Sequence, residues 1–194
     1  PPPSSSTPRR RWRWGGGRVR RMSGRSTASG PLQARTAWVG LGGNVGDVAT
    51  AFDAALRRLG ESAGVEVLAR SRCYRTPAWG LIDQADFVNA VAALRTTLAP
   101  RALLELLQAI EREHGRDRSR EQRWGPRTLD LDLLAVDGVV LDTSALQLPH
   151  PRLAERAFVL VPWAEIAPEV VVPGLGRVAD LRDAVDRSGI EAIP

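Results

Sequence analysis

Residues 128–134 read TLDLDLL, and its two aspartates, Asp130 and Asp132, have a type and spacing that point to chemistry. A period of two puts Leu129, Leu131 and Leu133 on one face of a strand and both carboxylates on the other, about 6.6 Å apart at Cα. A half-solvated antiparallel strand also alternates in this way. Aspartate is depleted in strands, however, and neighbouring carboxylates repel unless something positive lies between them. A divalent cation meets that need. Immediately upstream, GRDRSREQRWGPRTLDLD carries Arg116, Arg118, Arg120, Arg123 and Arg127. A charge run alone is usually a solvated face. Beside an Asp pair it becomes an apparatus for polyphosphate, because guanidinium grips phosphate oxygens in pairs. Mg²⁺ accepts one or two carboxylates plus substrate phosphates, and two metals about 3.5–4 Å apart can share such a pair. The combination reads as phosphoryl or nucleotidyl transfer. Gly115, Gly125 and Pro126 suit the hinges of a lid, with Trp124 either capping the site or pinning the segment.

Composition narrows the field further. The 194 residues contain no lysine, which removes the P-loop lysine, the protein-kinase strand lysine and all Schiff-base mechanisms. One cysteine, Cys73, makes neither a disulfide nor a thiolate zinc site, and is read as a small core or sheet residue. The formal charge of +5 is unevenly spread: residues 1–35 hold nine arginines and no acid, leaving 18 arginines against 22 acids beyond them. The folded body is therefore acidic. Residues 1–35, rich in Arg, Pro, Gly and Ser, are expected to form a disordered tail, and 36–194 a single catalytic domain. As a functional element the tail would tether nucleic acid or membrane, or act as a transit peptide. The simpler expectation is an extension without a selected role, with translation starting at Met22. No apolar run is long enough for a membrane span or signal peptide, so a cytoplasmic protein is expected.

The elements that must position the acids follow in a readable order. AWVGLGG (37–43) is a buried strand ending in glycines, with Gly42–Gly46 as a tight strand-to-helix turn. Asp47 opens a helix whose Val48, Phe52, Ala55, Leu56 and Leu59 recur at helical spacing. VEVLARSRCYRT (65–76) and FVNAVAALRTT (87–97) alternate as strands. Pro100 begins an amphipathic helix closed by Gly115, the TLDLDLLAV strand follows, and Asp137-Gly138 marks a hairpin turn into VVL. The order β-α-β-β-α-β predicts an α+β, ferredoxin-like core: an antiparallel sheet with helices on one face, the other being free for a site or further cover. Two apolar runs with prolines, FVLVPW and VVVPGL, belong to additional C-terminal elements.

YRTPAWGLIDQADFVNAV, IEREHGRDR, RWGPRTLDLDLL and LPHPRLAERAFVLVP, in this order, resemble the 6-hydroxymethyl-7,8-dihydropterin pyrophosphokinases of folate biosynthesis, from about residue 36 to the C-terminus. The resemblance implies transfer of the β,γ-pyrophosphoryl group of ATP to the pterin's hydroxymethyl oxygen, with release of AMP. It implies that Asp130 and Asp132 hold two Mg²⁺ ions and that Arg116 and Arg127 act on the phosphates. Gln108, Glu111, Arg118, Trp124, His150 and Arg156 match nucleotide-side positions. Asn89 matches the pterin-binding amide, Phe87 and Phe158 the aromatics that sandwich the ring, and Thr76 and Trp79 the loop beside it. Alone, Phe87 and Phe158 would read as core and His150 as a loop histidine. Ala145, Gln147 and Pro151 depart from residues that some members carry near the nucleotide, and Phe87 replaces a tyrosine.

The expected partners are small molecules, with no membrane, no nucleic acid and a monomeric chain. A ferredoxin-like nucleic-acid binding module is the alternative from another class, and the acidic body and absent RNP aromatics weigh against it. An inactive relative that only binds ligand is a third.

Overall fold

The computed structural model describes residues 33–78, 84–116 and 125–193. The expectation for the tail thus lies almost wholly outside the described residues. The chain runs β1 (Arg35–Gly43), α1 (Val48–Gly60), β2 (Val65–Arg70), β3 (Tyr74–Thr76), β4 (Phe87–Thr96), α2 (Pro100–Glu113) and β5 (Asp130–Val136). Then come β6 (Leu141–Asp142), β7 (Gln147–Leu148), a 3₁₀ turn (Leu153–Glu155), α3 (Ala157–Ile166), β8 (Val171–Val172), β9 (Gly176–Arg177), α4 (Val178–Ala184) and β10 (Glu191–Ala192).

The main sheet is antiparallel throughout, in the order β10-β3-β4-β1-β5, with β2 also on β4. With β2 and β3 counted as one broken strand, this is the βαββαβ order of the ferredoxin-like fold. Asp47 caps α1 by accepting from the Thr50 backbone N–H (3.1 Å) and hydroxyl (2.7 Å). The helix then buries Val48, Phe52, Ala55 and Leu59. Pro100 supplies a first-turn residue with no N–H to satisfy, and α2 buries Leu103, Leu107, Ile110 and Glu111. Both helices lie on the sheet face that carries Ala37, Val39, Leu41, Leu129, Leu131 and Leu133.

The opposite face divides in two. One part, with Trp38, Val91, Ala93 and Leu134, is covered by Val159, Leu160 and Trp163 of α3 and Val178 of α4. The Trp38 and Trp163 rings sit 5.2 Å apart. The rest holds the polar residues of the site. The helices are thus not confined to one face: the C-terminal run FVLVPW, apolar on every side, is the core of α3 with Pro162 inside it.

Two expectations about strands are corrected. Residues 65–76 are not one strand, because Ser71–Cys73 interrupt it. Arg70 pairs with Ala92 and Tyr74 with Asn89, so four steps on this edge match three on β4. The surplus is absorbed where Ser71 N donates to Val91 O (2.9 Å) and Ser71 Oγ accepts from Val91 N (3.0 Å). The turn at Asp137-Gly138 does form, with Gly138 at φ +68°, but VVL does not run back along β5. Instead β6 pairs with β7. The Leu134 carbonyl on the outer edge of β5 is taken by the N–H of His150 (2.7 Å). That detour carries His150 to the acids.

Cys73 is a half-buried free thiol packed against the core, pushed up in pKa by burial. Nearby, the Tyr74 hydroxyl donates to Glu165 Oε2 (2.6 Å), while Arg72 donates to Oε1 through its backbone N–H (3.2 Å) and Nε (3.3 Å). This fastens α3 to β3. Burial pushes the Glu165 carboxyl up, but the Tyr74 and Arg72 donors outweigh it and hold the group below its ordinary value. A carboxyl lowered in the fold stabilises it above the unfolded pKa, and that contribution is lost as pH falls through the folded value. Glu165→Gln should therefore cost about 1.5 kcal/mol at pH 7, roughly 3–6 °C in Tm. It should also soften the loss of stability below about pH 4.5, near the ordinary carboxyl value. Parallel melting curves from pH 3 to 7 check both; an unchanged acid limb would contradict the assignment.

Candidate functional site

On β5 the leucines point into the core and both aspartates emerge on the opposite face. Its antiparallel neighbour β1 places Gly42 across from Asp130 and Gly40 across from Asp132. On its other side, Gly42 faces Asn89 and Gly40 faces Val91 of β4. Asn89, Gly42 and Asp130 thus form a row across three adjacent strands, with no side chain in the middle. A Cβ on Gly42 would lie 3.2 Å from Asn89 Oδ1 and 3.8 Å from Asp130 Cβ. This corrects the expected turn: Gly42 and Gly43 belong to β1, and the chain turns only beyond them. That Gly42 leaves a bare floor between Asn89 and Asp130, while Gly40 is covered by the Leu134 side chain, was missed, since the register that exposes it is a long-range property.

Asp130 sits between guanidinium groups. Arg116 Nη1 bridges Asp130 Oδ1 and Glu111 Oε1, and Arg127 Nη1 donates to Asp130 Oδ2 at 2.8 Å. Burial pushes the Asp130 carboxyl up, but the charges and hydrogen bonds of Arg116 and Arg127 overcome it and hold the group below the usual carboxylate range. It is therefore an ionised carboxylate. Glu111, 1% exposed, also accepts the Leu131 backbone N–H at 2.8 Å, so it ties α2 to β5 beneath the acids. Arg156 reaches back from the start of α3 to Asp132 Oδ2 at 2.7 Å, and its guanidinium lies 5.7 Å from the Phe158 ring centre.

On the outer side of Asp132 lies a cleft of about 420 Å³, lined by Leu104, Gln108, Asp132, Leu146, Gln147 and His150 among others. Burial first, then the charge of Arg156, holds the His150 imidazole below its ordinary value, although Asp132 pulls the other way. His150 Nδ1 accepts the Arg152 N–H at 3.2 Å, leaving Nε2 as the protonated nitrogen of the neutral ring. Ala145 and Pro151 line the same cleft.

Toward β4, Asn89 is buried and its Nδ2 donates to Thr76 Oγ1 at 2.8 Å. Thr76 pairs with Phe87 and Tyr74 with Asn89, so Thr76, Phe87 and Asn89 share one face. Phe87 is half-buried there, while Phe158 in the first turn of α3 is more exposed than most large apolar residues. The structure thus brings Asp130, Asp132, Arg116, Arg127, Arg156 and Glu111 together, with Gln108 and His150 on the outer side and Asn89, Thr76 and Phe87 on the inner. Trp79, Arg118 and Trp124 lie outside the described residues.

Hard oxygen donors flanked by three guanidinium groups suit an anionic ligand carrying a hard cation, with an apolar and amide-bearing recess next to it. The family model of 7,8-dihydro-6-hydroxymethylpterin-pyrophosphokinase matches residues 38–168. The 2-amino-4-hydroxy-6-hydroxymethyldihydropteridine pyrophosphokinase of Methylorubrum extorquens is 47% identical over 157 residues, 81% of this chain and 98% of that protein. The Synechocystis enzyme of the same name is 44% identical over 161 residues, 82% and 81% of the two chains, and the Pseudomonas aeruginosa one 43% over 157 residues, 81% and 96%. Among solved structures, wild-type Plasmodium falciparum HPPK-DHPS with pteroate matches with a TM-score of 0.60 at 14% identity, a likeness of fold. The match takes in 78% of this chain and 42% of that longer one. With the model matching from β1 to the end of α3, and relatives this similar along nearly their whole length, the chain belongs to the 7,8-dihydro-6-hydroxymethylpterin-pyrophosphokinase family.

Proposed function

We propose that the row Asn89, Gly42, Asp130 is the line along which this chain's two substrates meet. The chain moves a pyrophosphoryl group from ATP to hydroxymethyldihydropterin in folate biosynthesis, as the family and its named relatives do. In our reading the pterin lies over Gly42 against the Asn89 amide and Thr76, between the faces of Phe87 and Phe158. A flat heteroaromatic ring stacks well on aromatic faces, and an amide side chain can match its donor and acceptor edge. Trp79, outside the described residues, is assigned to the pterin by the family resemblance. The nucleotide takes the outer cleft beside Gln108 and His150, with its phosphates turned toward Arg116, Arg127 and Arg156; Arg118 and Trp124, outside the described residues, are assigned to the nucleotide by the family resemblance. The observation that carries this reading is the register: an amide suited to the ring and a carboxylate suited to a metal stand on either side of one glycine.

The residues present fit Mg²⁺. Among the described residues no group of three or more His, Cys, Asp or Glu could hold a metal. Two carboxylates on one strand face are what remains, and Mg²⁺ bound chiefly by substrate phosphates and water needs no more. Asp130 and Asp132 would hold two such ions, which when bound neutralise the triphosphate and polarise its phosphorus. The chain's own part is positional. Arg116, Arg127 and Arg156 supply positive charge where phosphate oxygens would lie, and Glu111 fixes Arg116 from below. The recess aims the hydroxymethyl oxygen at the β-phosphorus. The hydroxyl is the nucleophile, so no protein nucleophile is required.

Both halves come from a single chain, which suits a monomer acting on small molecules in the cytoplasm; none of the described helices is long and apolar enough to cross a membrane. The nucleic-acid alternative is left without support, since Arg116 and Arg127 are committed to Asp130 rather than displayed on a surface. Incubation of the chain with ATP, Mg²⁺ and the dihydropterin should yield AMP, and only when the pterin is present. ADP as product, or AMP released without the pterin, would overturn the reading.

A further inference from the structure

Asn44, the first residue after β1, lies at the strand end where the lead-ins to both neighbouring strands arrive. β4 and β5 each run antiparallel to β1, so the last residues of β1 adjoin the first residues of both. These strand starts carry the two halves of the site: Phe87 and Asn89 on β4, and Asp130 at the start of β5 with Arg127 in the segment before it. Asn44 is bonded to both lead-ins at once. Its backbone N–H donates to Arg127 O at 2.8 Å, and its side-chain Oδ1 accepts the Arg127 N–H at 2.8 Å. The next residue, Val45, also donates to Arg127 O, at 3.1 Å. The other end of the same amide, Nδ2, donates to Ala85 O at 3.1 Å and to Gln84 Oε1 at 3.3 Å. One side chain therefore joins the backbone that carries Arg127 to the backbone that leads into Phe87 and Asn89.

Among the described residues neither lead-in is paired as a strand at this end. Residues 84–86 precede the first pairing of β4, and residues 125–129 precede β5. Asparagine suits this position because it accepts at one atom and donates at the other in a single plane, so it can satisfy a backbone N–H on one side and a backbone carbonyl on the other. Aspartate has no donor, and alanine offers neither. Arg127 matters twice here: its main chain is held by Asn44 and its guanidinium by Asp130.

We propose that Asn44 is a positioning residue that couples the two half-sites, so that ordering one lead-in by its ligand lowers the cost of ordering the other. This rests on the functional reading above, in which the pterin binds at β4 and the nucleotide at Asp130. A ligand that fixes Arg127 and its main chain fixes Asn44, which in turn holds Ala85 and the start of β4 in the arrangement the ring needs. Coupling of this kind is reciprocal: each ligand tightens the other by the same factor.

The test measures the dissociation constant of 6-hydroxymethylpterin by titration, with and without saturating α,β-methylene-ATP and Mg²⁺. The ratio of the two constants is the coupling factor. The wild-type chain should show a factor of about 10 or more, a coupling of about 1.4 kcal/mol. Asn44→Ala should bring the factor to within about twofold of unity, while its affinity for the nucleotide analogue alone changes by less than about threefold. Asn44→Asp retains the acceptor for the Arg127 N–H but cannot donate to Ala85 or Gln84, and should lose the coupling as Asn44→Ala does. A residue that only supports the fold would weaken each ligand separately and leave the ratio unchanged. A wild-type ratio near unity, or a wild-type ratio retained in both variants, would overturn the proposal. Failure of the wild-type chain to bind the pterin or to release AMP would instead remove the functional reading beneath it. Should Asn44→Ala not fold by circular dichroism, Asn44→Asp carries the test.

Discussion

Asp130→Ala is expected to lower turnover by at least about 10³-fold, corresponding to about 4 kcal/mol of lost transition-state stabilisation. The size follows from where the carboxylate sits. Asp130 is ionised and partly buried, faces Gly42 across the strand pair, and collects the guanidinium groups of Arg116 and Arg127. Removing it takes away one of two proposed magnesium ligands and at the same time frees the Arg127 guanidinium and leaves Arg116 to Glu111. Asp130→Asn separates these effects. It keeps the side-chain shape and one acceptor oxygen for the arginines, yet lacks the charge a hard cation demands. Its turnover should therefore be nearly as low as that of the alanine variant, with a smaller loss of thermal stability. Calorimetric titration with α,β-methylene-ATP provides the second measurement. Mg²⁺ should tighten binding to the wild-type chain markedly, and the same addition should change binding to Asp130→Asn little. An asparagine variant that turns over normally, or that responds to Mg²⁺ like wild type, would remove Asp130 from the metal site.

What could be read from the residues in advance, and what could not, divides along the range of the interaction. Alternation in TLDLDLL is local, because side chains on a strand alternate whatever the strand pairs with, so the inward leucines and outward acids were legible. The caps and stripes of α1 and α2 are local for the same reason. The strand order also followed, since the succession of elements leaves few ways to close an antiparallel sheet. Cross-strand register is a different matter. That Gly42 lies between Asn89 and Asp130 depends on where β1 meets two partners some 50 and 90 residues away in sequence. GLGG alone therefore looked like the start of a turn. Likewise the break at Ser71–Cys73 depends on a count against β4, and the carriage of His150 to β5 depends on β6 finding β7. The pairing of Arg156 with Asp132 spans 24 residues and has no local signature. Resemblance to a known family named several of these residues without explaining how they come together; the register supplies the explanation.

Glu111 shows the reverse case, a signal present in the helix pattern and easily passed over. It falls four residues after Leu107 and eight after Leu103, on the stripe of α2 that faces the sheet. A glutamate on that stripe must be satisfied inside the protein. It is: one oxygen accepts the Leu131 N–H and pairs with Arg116, whose side chain is only 6% exposed. Removing one partner of a buried pair costs far more than the pair contributes, because the remaining charge keeps its desolvation penalty. Glu111→Ala should thus destabilise the chain by about 3–5 kcal/mol, a fall of roughly 8–15 °C in Tm, by exposing Arg116 to a half-empty network and orphaning a backbone donor of β5. Glu111→Gln, which still offers an oxygen to Leu131, should lose about half as much. Turnover should fall in both variants in step with the freedom gained by Arg116, and Arg116→Ala in the Glu111→Gln background should add less than its effect alone, since the two residues act through one contact. Melting curves and steady-state kinetics on the single and double variants test this. Should Glu111→Ala melt like the wild-type chain and merely bind nucleotide less tightly, the glutamate would be a direct ligand contact and its role beneath Arg116 would fall.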